Sequence, residues 1–419
     1  MKLAVIGGGS TYTPELVDGI ARLADQVKVT ELVLVDPDET RLAVVGPFAA
    51  RIMRAYGHPA VVRWTTGTDD GLDGAGAVLL QLRVGGQAAR DRDETWPLDC
   101  GCVGQETTGA GGLAKALRTV PVVLDIAARA RARAAADAWI IDFTNPVGIV
   151  TRALLDAGHR AVGLCNVAIG FQRTFAAWLG VAPAQLQLDH VGLNHLTWER
   201  AAFVEGTDRL PELLAAHGAE LASRIQLPLE ALSLTGGTVP SYYLRYYYAH
   251  DAVVNELRGK PTRARTVAQL ERELLEMYAD PSLERKPALL EGRGGAFYSE
   301  AAVALLASLV NDTGDTQVVN VRNNGTMPFL GDDAVIEVPA VIGRAGPVPV
   351  PVTPLSPLLA GLVAHATAYE ELAIEAALRG GRDRVVAALL ANPIVGQLNL
   401  ATKLADRLIA ENAQFLPWA

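Results

Sequence analysis

Short, continuously apolar runs alternate with amphipathic stretches through the first third of the chain. The runs are KLAVIG from Lys2, ELVLVD from Glu31, GAVLLQLRV from Gly76, WIIDFTNP from Trp139 and RAVGLC from Arg160. Between the first two, and again after the second, the apolar spacing lengthens to that of a helix, beginning near Pro14 and near Glu39. A run that is apolar at every position, rather than every second one, suits a strand covered by helices on both faces. The rhythm therefore predicts a Rossmann-like, doubly wound parallel sheet in an α/β protein.

Beyond about residue 170 the pattern changes to longer helices: PELLAAHGAELASRI (211–225), TVAQLERELLEMY (266–278), SEAAVALLASLV (299–310) and NLATKLADRLIAE (399–411). From Ala334 to Val352 the chain is rich in valine and proline, which reads as edge strands and connections, since proline removes a ladder donor. The reading is a first domain over 1–168 and a second, mixed and largely helical α+β lobe over 169–419.

The formal net charge of the 419 residues is −9, which argues against nucleic acid or an acidic membrane as partner. Three cysteines, Cys100, Cys102 and Cys165, make a poor disulfide framework and fit a reducing compartment. With neither an apolar leader nor a stretch of about 18 uncharged apolar residues, the expectation is a cytoplasmic protein acting on a small molecule.

In a doubly wound sheet, ligands bind beyond the carboxyl ends of the strands. Gly7, Asp36, Arg83, Asn145 and Cys165 all follow strand-like runs, so they are expected to line one crevice. In VIGGGSTYTP, Gly7 and Gly9 stand between a strand and a helix, where backbone N–H groups, with Ser10 and Thr11, can hold a pyrophosphate. The third glycine of the dinucleotide fingerprint is replaced by Tyr12. Asp36 ends the second strand, where a carboxylate accepts from a ribose and favours NAD+, or else caps the following helix. Cys165 and His195 carry a thiolate and an imidazole suited to a divalent transition metal. Cys165 closes a strand and His195 lies in the polar turn GLNH. Arg83, with Ser10 and Arg293, is a candidate for charge-assisted binding of a phosphate.

Many ordered motifs then fall together: VIGGGSTYTP, LRVGG with RDRDE, GQETTGAGGLAKALRTVP at 104–121, FTNPVG at 143–148, LCN at 164–166, GLNH at 192–195, YLRYYY at 243–248, RGGAFYSEAA at 293–302 and NPIVG at 392–396. Across nearly its whole length the chain resembles the NAD- and metal-dependent glycoside hydrolases of family four, and most closely the 6-phospho-β-glucosidases among them. The resemblance implies that Cys165 and His195 hold a manganese-like ion. It implies that a tyrosine of YLRYYY is the catalytic base, Tyr243 as the first of the segment, with Tyr242 its neighbour and rival. Arg245, two residues on, would stabilise a tyrosinate or bind phosphate. Asn166, directly after the metal-binding cysteine, points to β-specificity. Asn145 would meet substrate hydroxyls or the nicotinamide end of the crevice, and Glu106 and Thr107 would sit in a loop made flexible by Gly109, Gly111 and Gly112.

Ordinary glycosidases use two carboxylates, and this family departs from that scheme. The resemblance implies oxidation at C3 of the sugar by NAD+, loss of the C2 proton, elimination of the C1 group, addition of water and return of the hydride. The substrate would be a phosphorylated disaccharide or an aryl β-glucoside, and the assembly a homodimer or homotetramer. Two other readings stand beside it. One is a plain NAD-dependent dehydrogenase of a small hydroxy acid or sugar, which would accumulate NADH. The other is a non-catalytic NAD-binding sensor, which would bind without turnover.

Overall fold

The computed structural model describes residues 1–295 and 297–419. Ala296, inside the RGGAFYSEAA motif, lies outside the described residues. Six strands form the parallel part of the main sheet: β1 (Lys2–Ile6), β2 (Glu31–Val35), β3 (Val61–Thr65), β4 (Ala77–Leu80), β5 (Trp139–Asp142) and β6 (Ala161–Gly163). They lie in the order 6-5-4-1-2-3, the doubly wound arrangement expected from the apolar runs. β3 has no counterpart in the apolar reading. Its sequence VVRWT is an edge strand with Val61 and Trp64 well exposed, so it lacks the unbroken apolarity of the inner strands.

Alternation along the inner strands splits the core into two layers. Leu3, Val5, Leu32, Leu34, Leu79 and Ile141 face one side; Ala4, Ile6, Val33, Val35, Val78, Leu80 and Ile140 face the other. Each fully buried leucine or valine contributes roughly 1.5–3 kcal/mol, so the strand order is held from both faces. The second layer is closed by the helix Gly109–Arg133 and by three C-terminal helices, Pro357–Arg379, Arg382–Leu390 and Leu398–Asn412. The chain thus returns at its end to cover the sheet with which it began.

A small antiparallel sheet follows, with β7 (Leu186–Leu193), β8 (Leu196–Val204), β9 (Thr207–Asp208) and β10 (Val239–Pro240). Then β11 (Asp315–Arg322), β12 (Val335–Gly343) and β13 (Gly346–Pro349) join the main sheet beyond β6, all antiparallel to their neighbours. Residues after 168 therefore complete the sheet that residues before 168 begin. The proline-rich stretch supplies one true edge strand, β13. The expectation that it holds only edges and connections is corrected at β12, which carries Pro339 yet lies between β11 and β13. The pairing with β13 covers Ala340–Gly343, and Pro339 lies just outside it.

The β7–β8 hairpin turns through Asn194 and His195, with His195 at φ +63°. The turn closes tightly because Gly192 approaches the opposite strand: a Cβ there would stand 2.0 Å from the carbonyl oxygen of Leu196, at a φ of +140°. Gly192→Ala is expected to cost about 2 kcal/mol or more, read as a lower midpoint in urea or thermal unfolding. An unchanged midpoint would show that the turn yields to a side chain.

Candidate active site

The carboxyl ends of β1, β2, β4, β5 and β6 lead into Gly7, Asp36, Gln81–Arg83, Asn145 and Cys165, so the five expected positions all follow the carboxyl edge of the parallel sheet. At its first corner the turn is tied to itself and to the second strand. Gly7 (φ +86°) and Gly8 donate to the carbonyl of Val35, and Ser10 donates to Gly7. A side chain on Gly7 would strike the backbone of Gln81 at 2.8 Å, so the glycine is required for contact with β4. Asp36 accepts from Gly9 N–H at 3.0 Å and from Asp38 N–H at 3.0 Å. It does not cap the helix Glu39–Ala55, because Asp38 does, accepting from Arg41 N–H.

Tyr12, in place of the third glycine, turns away from the sheet and donates its hydroxyl to the carbonyl of Gly295 at 2.6 Å. Tyr278 donates to the carbonyl of Thr11 at 2.9 Å, and the Nε of Arg293 donates to the Thr11 hydroxyl at 3.4 Å. Second-half residues thus clasp the turn. Deeper in the crevice, Gln81 Oε1 and Asn145 Oδ1 are buried and lack a hydrogen-bond partner among the described residues. Buried polar atoms are rarely left unsatisfied, so these two mark where a polar ligand fits.

His195 is buried and stacks on Tyr243, with ring centroids 3.5 Å apart and planes inclined by 7°. Burial lowers its pKa to about 4, which keeps the imidazole neutral, the form that ligates a metal. Its Nδ1 lies 2.9 Å from the Thr107 hydroxyl, which itself donates to Gln105 Oε1 at 2.8 Å. That hydroxyl has one proton and spends it on Gln105, so Nδ1–H donates to it and Nε2 keeps a bare lone pair. Cys165 is buried, its thiol pushed up by burial and by Glu337, and it is hydrogen-bonded by Val167 N–H, Tyr298 and Asn194. A thiol, a bare imidazole nitrogen and a phenol therefore share one small volume. Among the described residues no cluster of three or more Cys, His, Asp or Glu could enclose an ion. A soft two-donor set with open positions suits a catalytic rather than a structural metal.

Tyr243 is raised above the usual tyrosine range by burial, Cys165 and Glu106, and drawn down by Arg90. Tyr242 is its edge-on neighbour, 5.9 Å away between centroids. Arg245 is buried, donates to the Tyr242 hydroxyl at 2.7 Å and pairs with Glu256, so it serves Tyr242 and not Tyr243. Asn166 begins the helix Val167–Leu179 directly after Cys165.

Glu106 is the main departure from the sequence reading. It is buried and meets Arg83, Lys115 at 2.7 Å and Arg90 at 3.1 Å, and these cations, Arg83 first, hold its carboxyl well below the usual range against the effect of burial. It is a buried counter-ion to three cations. The glycines expected to make that loop flexible do the opposite. Cβ atoms at Gly111 and Gly112 would meet the backbones of Gln105 and Thr107 at 2.4 and 2.6 Å, so their bareness packs helix against loop. Arg293 and Arg41 share Glu271 at 3.2 and 3.4 Å, and Arg90 also meets Glu94 at 2.7 Å. Four guanidiniums, Arg41, Arg83, Arg90 and Arg293, thus share three carboxylates, Glu94, Glu106 and Glu271, with Lys115, whose ammonium pKa is drawn down to about 7 by burial and by Arg83. The surplus is positive and faces the crevice that Arg83 enters. Arg90, Lys115, Asn194, Tyr298 and Glu337 were not named by the sequence reading; the motifs RDRDE, GQETTGAGGLAK, GLNH and RGGAFYSEAA contain the first four, and nothing pointed to Glu337.

Two sequence profiles match most of the chain: the family 4 glycosyl hydrolase profile over residues 2–181, and that of the family 4 glycosyl hydrolase C-terminal domain over 190–395. The chain belongs to family 4 of the glycosyl hydrolases. Among its family 4 relatives, the probable 6-phospho-β-glucosidase of Bacillus subtilis is 38% identical, the alignment covering 100% of this chain and 97% of that one. The 6-phospho-β-glucosidase of Escherichia coli is 35% identical over 100% and 96%. The solved structure of the Thermotoga maritima 6-phospho-β-glucosidase with manganese, NAD+ and glucose-6-phosphate superposes with a TM-score of 0.93 at 32% identity, over 99% of each chain.

Glu106→Gln is expected to destabilise this family 4 chain by about 3 kcal/mol or more, since it leaves buried cations without their shared anion. The unfolding midpoint in urea measures it. A loss below about 1 kcal/mol would mean that water or another carboxylate takes over the role.

Proposed function

We propose that the chain hydrolyses 6-phospho-β-glucosides, using NAD+ and a divalent metal, Mn2+ by preference. The observation that carries the reading is the stack of Tyr243 on His195 in a volume shared with Cys165, at the strand ends of a dinucleotide-type sheet. The glucosidase relatives support it. When bound, NAD+ supplies reversible hydride removal at a sugar carbon, and the metal supplies Lewis-acid polarisation of sugar oxygens.

The remaining work falls to the protein's own side chains. The turn from Gly7 through Ser10 and Thr11 receives a pyrophosphate at the helix N-terminus, and Asp36 receives a ribose. Cys165 and the Nε2 of His195 are the metal donors. Asn145 supplies its unsatisfied Oδ1, and Asn166 stands beside the metal cysteine, where it reads the β-configuration. Arg83, Arg293 and Ser10 take the 6-phosphate, drawing on the surplus of positive charge around Glu106. Tyr243 accepts the C2 proton. Burial alone opposes a phenolate there, so its action as a base depends on nearby positive charge: Arg90, and a cation held by Cys165 and His195.

We further infer a cytoplasmic homodimer or homotetramer. No helix among the described residues is long and apolar enough to cross a membrane. Leu234, Val348 and Leu398 are exposed apolar side chains that a second copy would cover.

Release of nitrophenol from its 6-phospho-β-glucoside is expected to require both NAD+ and Mn2+ and to accumulate no NADH. Turnover without cofactors would overturn the redox-elimination route, and stoichiometric NADH would favour a dehydrogenase. Tyr243→Phe is expected to lower kcat by at least about 100-fold and to abolish exchange of the C2 hydrogen with solvent, with Mn2+ and NAD+ binding retained. Tyr242→Phe showing that pattern instead would move the base by one residue.

A further inference from the structure

A charged network runs beneath the candidate metal site, and nothing in the proposed chemistry uses it. His190 on β7, fully buried, lies between two carboxylates: Nδ1 is 2.6 Å from Glu199 Oε1 on β8, and Nε2 is 3.1 Å from Glu337 Oε1 on β12. The other oxygen of Glu337 accepts from two amides, Asn194 Nδ2 at 2.9 Å and Asn320 Nδ2 at 2.8 Å. Glu199, Glu337 and Asn320 are each at most 1% exposed.

The two amides lead to the two metal donors. Asn194 shares the hairpin turn with His195 and hydrogen-bonds the Cys165 thiol. Asn320 sits on β11 directly opposite Gly163, two residues before Cys165, and opposite Glu337 itself on β12. One carboxylate oxygen therefore joins the small sheet that carries His195 to the large sheet that carries Cys165. Two carboxyl groups thus face one imidazole, all three buried.

We propose that Glu337 is a positioning residue for the divalent metal, holding Asn194 and Asn320 so that Cys165 and His195 present their donors to one ion. The inference rests on the reading of Cys165 and His195 as the metal pair. Groups that orient metal ligands typically carry 10- to 100-fold of the affinity.

The test is Mn2+ binding to the full-length chain with NAD+ present, followed by the paramagnetic resonance signal of free Mn2+. Cys165→Ala is expected to abolish binding; if it binds as the parent does, the metal reading itself fails. Given that loss, Glu337→Gln is expected to weaken Mn2+ binding about 10- to 100-fold with NAD+ affinity within about twofold. Glu199→Gln, which touches neither amide, is expected to stay within about threefold of the parent for Mn2+. Asn194→Ser keeps every charge and covers the case in which Glu337→Gln fails to fold; about a tenfold loss is expected, with no further loss in the double variant, because coupled residues are not additive. Parental Mn2+ affinity in Glu337→Gln or in Asn194→Ser, an equal loss in Glu199→Gln, or a parallel loss of NAD+ affinity would overturn the proposal.

Discussion

The join between β6 and β11 is the constraint on which the rest of the structure depends. There, parallel and antiparallel halves of the main sheet meet through the pairing of Gly163 with Asn320. The approach is so close that a Cβ on Gly163 would lie 2.8 Å from that of Asn320 and 2.2 Å from the Thr151 hydroxyl. Because the join is made, a chain that starts as a nucleotide-binding sheet continues into β12, and β12 brings Glu337 beneath the turn that bears His195. Cys165, two residues past Gly163, is placed by the same contact. Loosening this seam would separate thiol from imidazole without touching either.

Electrostatics follows from that architecture. Two buried ionic clusters flank the candidate site, and each is out of balance. Around Glu106 the excess is positive and suits an incoming phosphate. Around Glu337 it is acidic, two carboxyl groups facing one imidazole. The positive excess costs stability in the free chain, because a buried charge without its partner is expensive.

How much of this was legible in the sequence differs by element. Runs such as KLAVI and ELVLV announce themselves because strands covered on both faces must be apolar throughout. VVRWT did not, since an edge strand has no such need. Cys165, His195 and Tyr243 were singled out as candidates, Tyr243 from the resemblance and not from its own spacing, and the fold stacks Tyr243 on His195. Glu106 was misread because a carboxylate in a glycine-rich segment looks mobile until its three cations, from 83, 90 and 115, are seen to converge. Glu337 gave no signal at all. An acidic residue in a valine-rich strand reads as solvent-facing, and its partners at 190, 194 and 320 are adjacent only after two sheets have packed. Local patterns specify elements; charge networks spanning more than a hundred residues are properties of the assembled fold.

The tyrosine at position 12 carries a last implication. Its hydroxyl, with Tyr278 and Arg293, latches the first turn of the nucleotide-binding fold from the opposite half of the chain. A dehydrogenase must release its spent cofactor at every turnover, and such a latch would slow each cycle. An enzyme that hands the borrowed hydride back to the same sugar leaves its cofactor as it found it, and has no need of an exit. In that economy the dinucleotide behaves less like a co-substrate than like a resident prosthetic group.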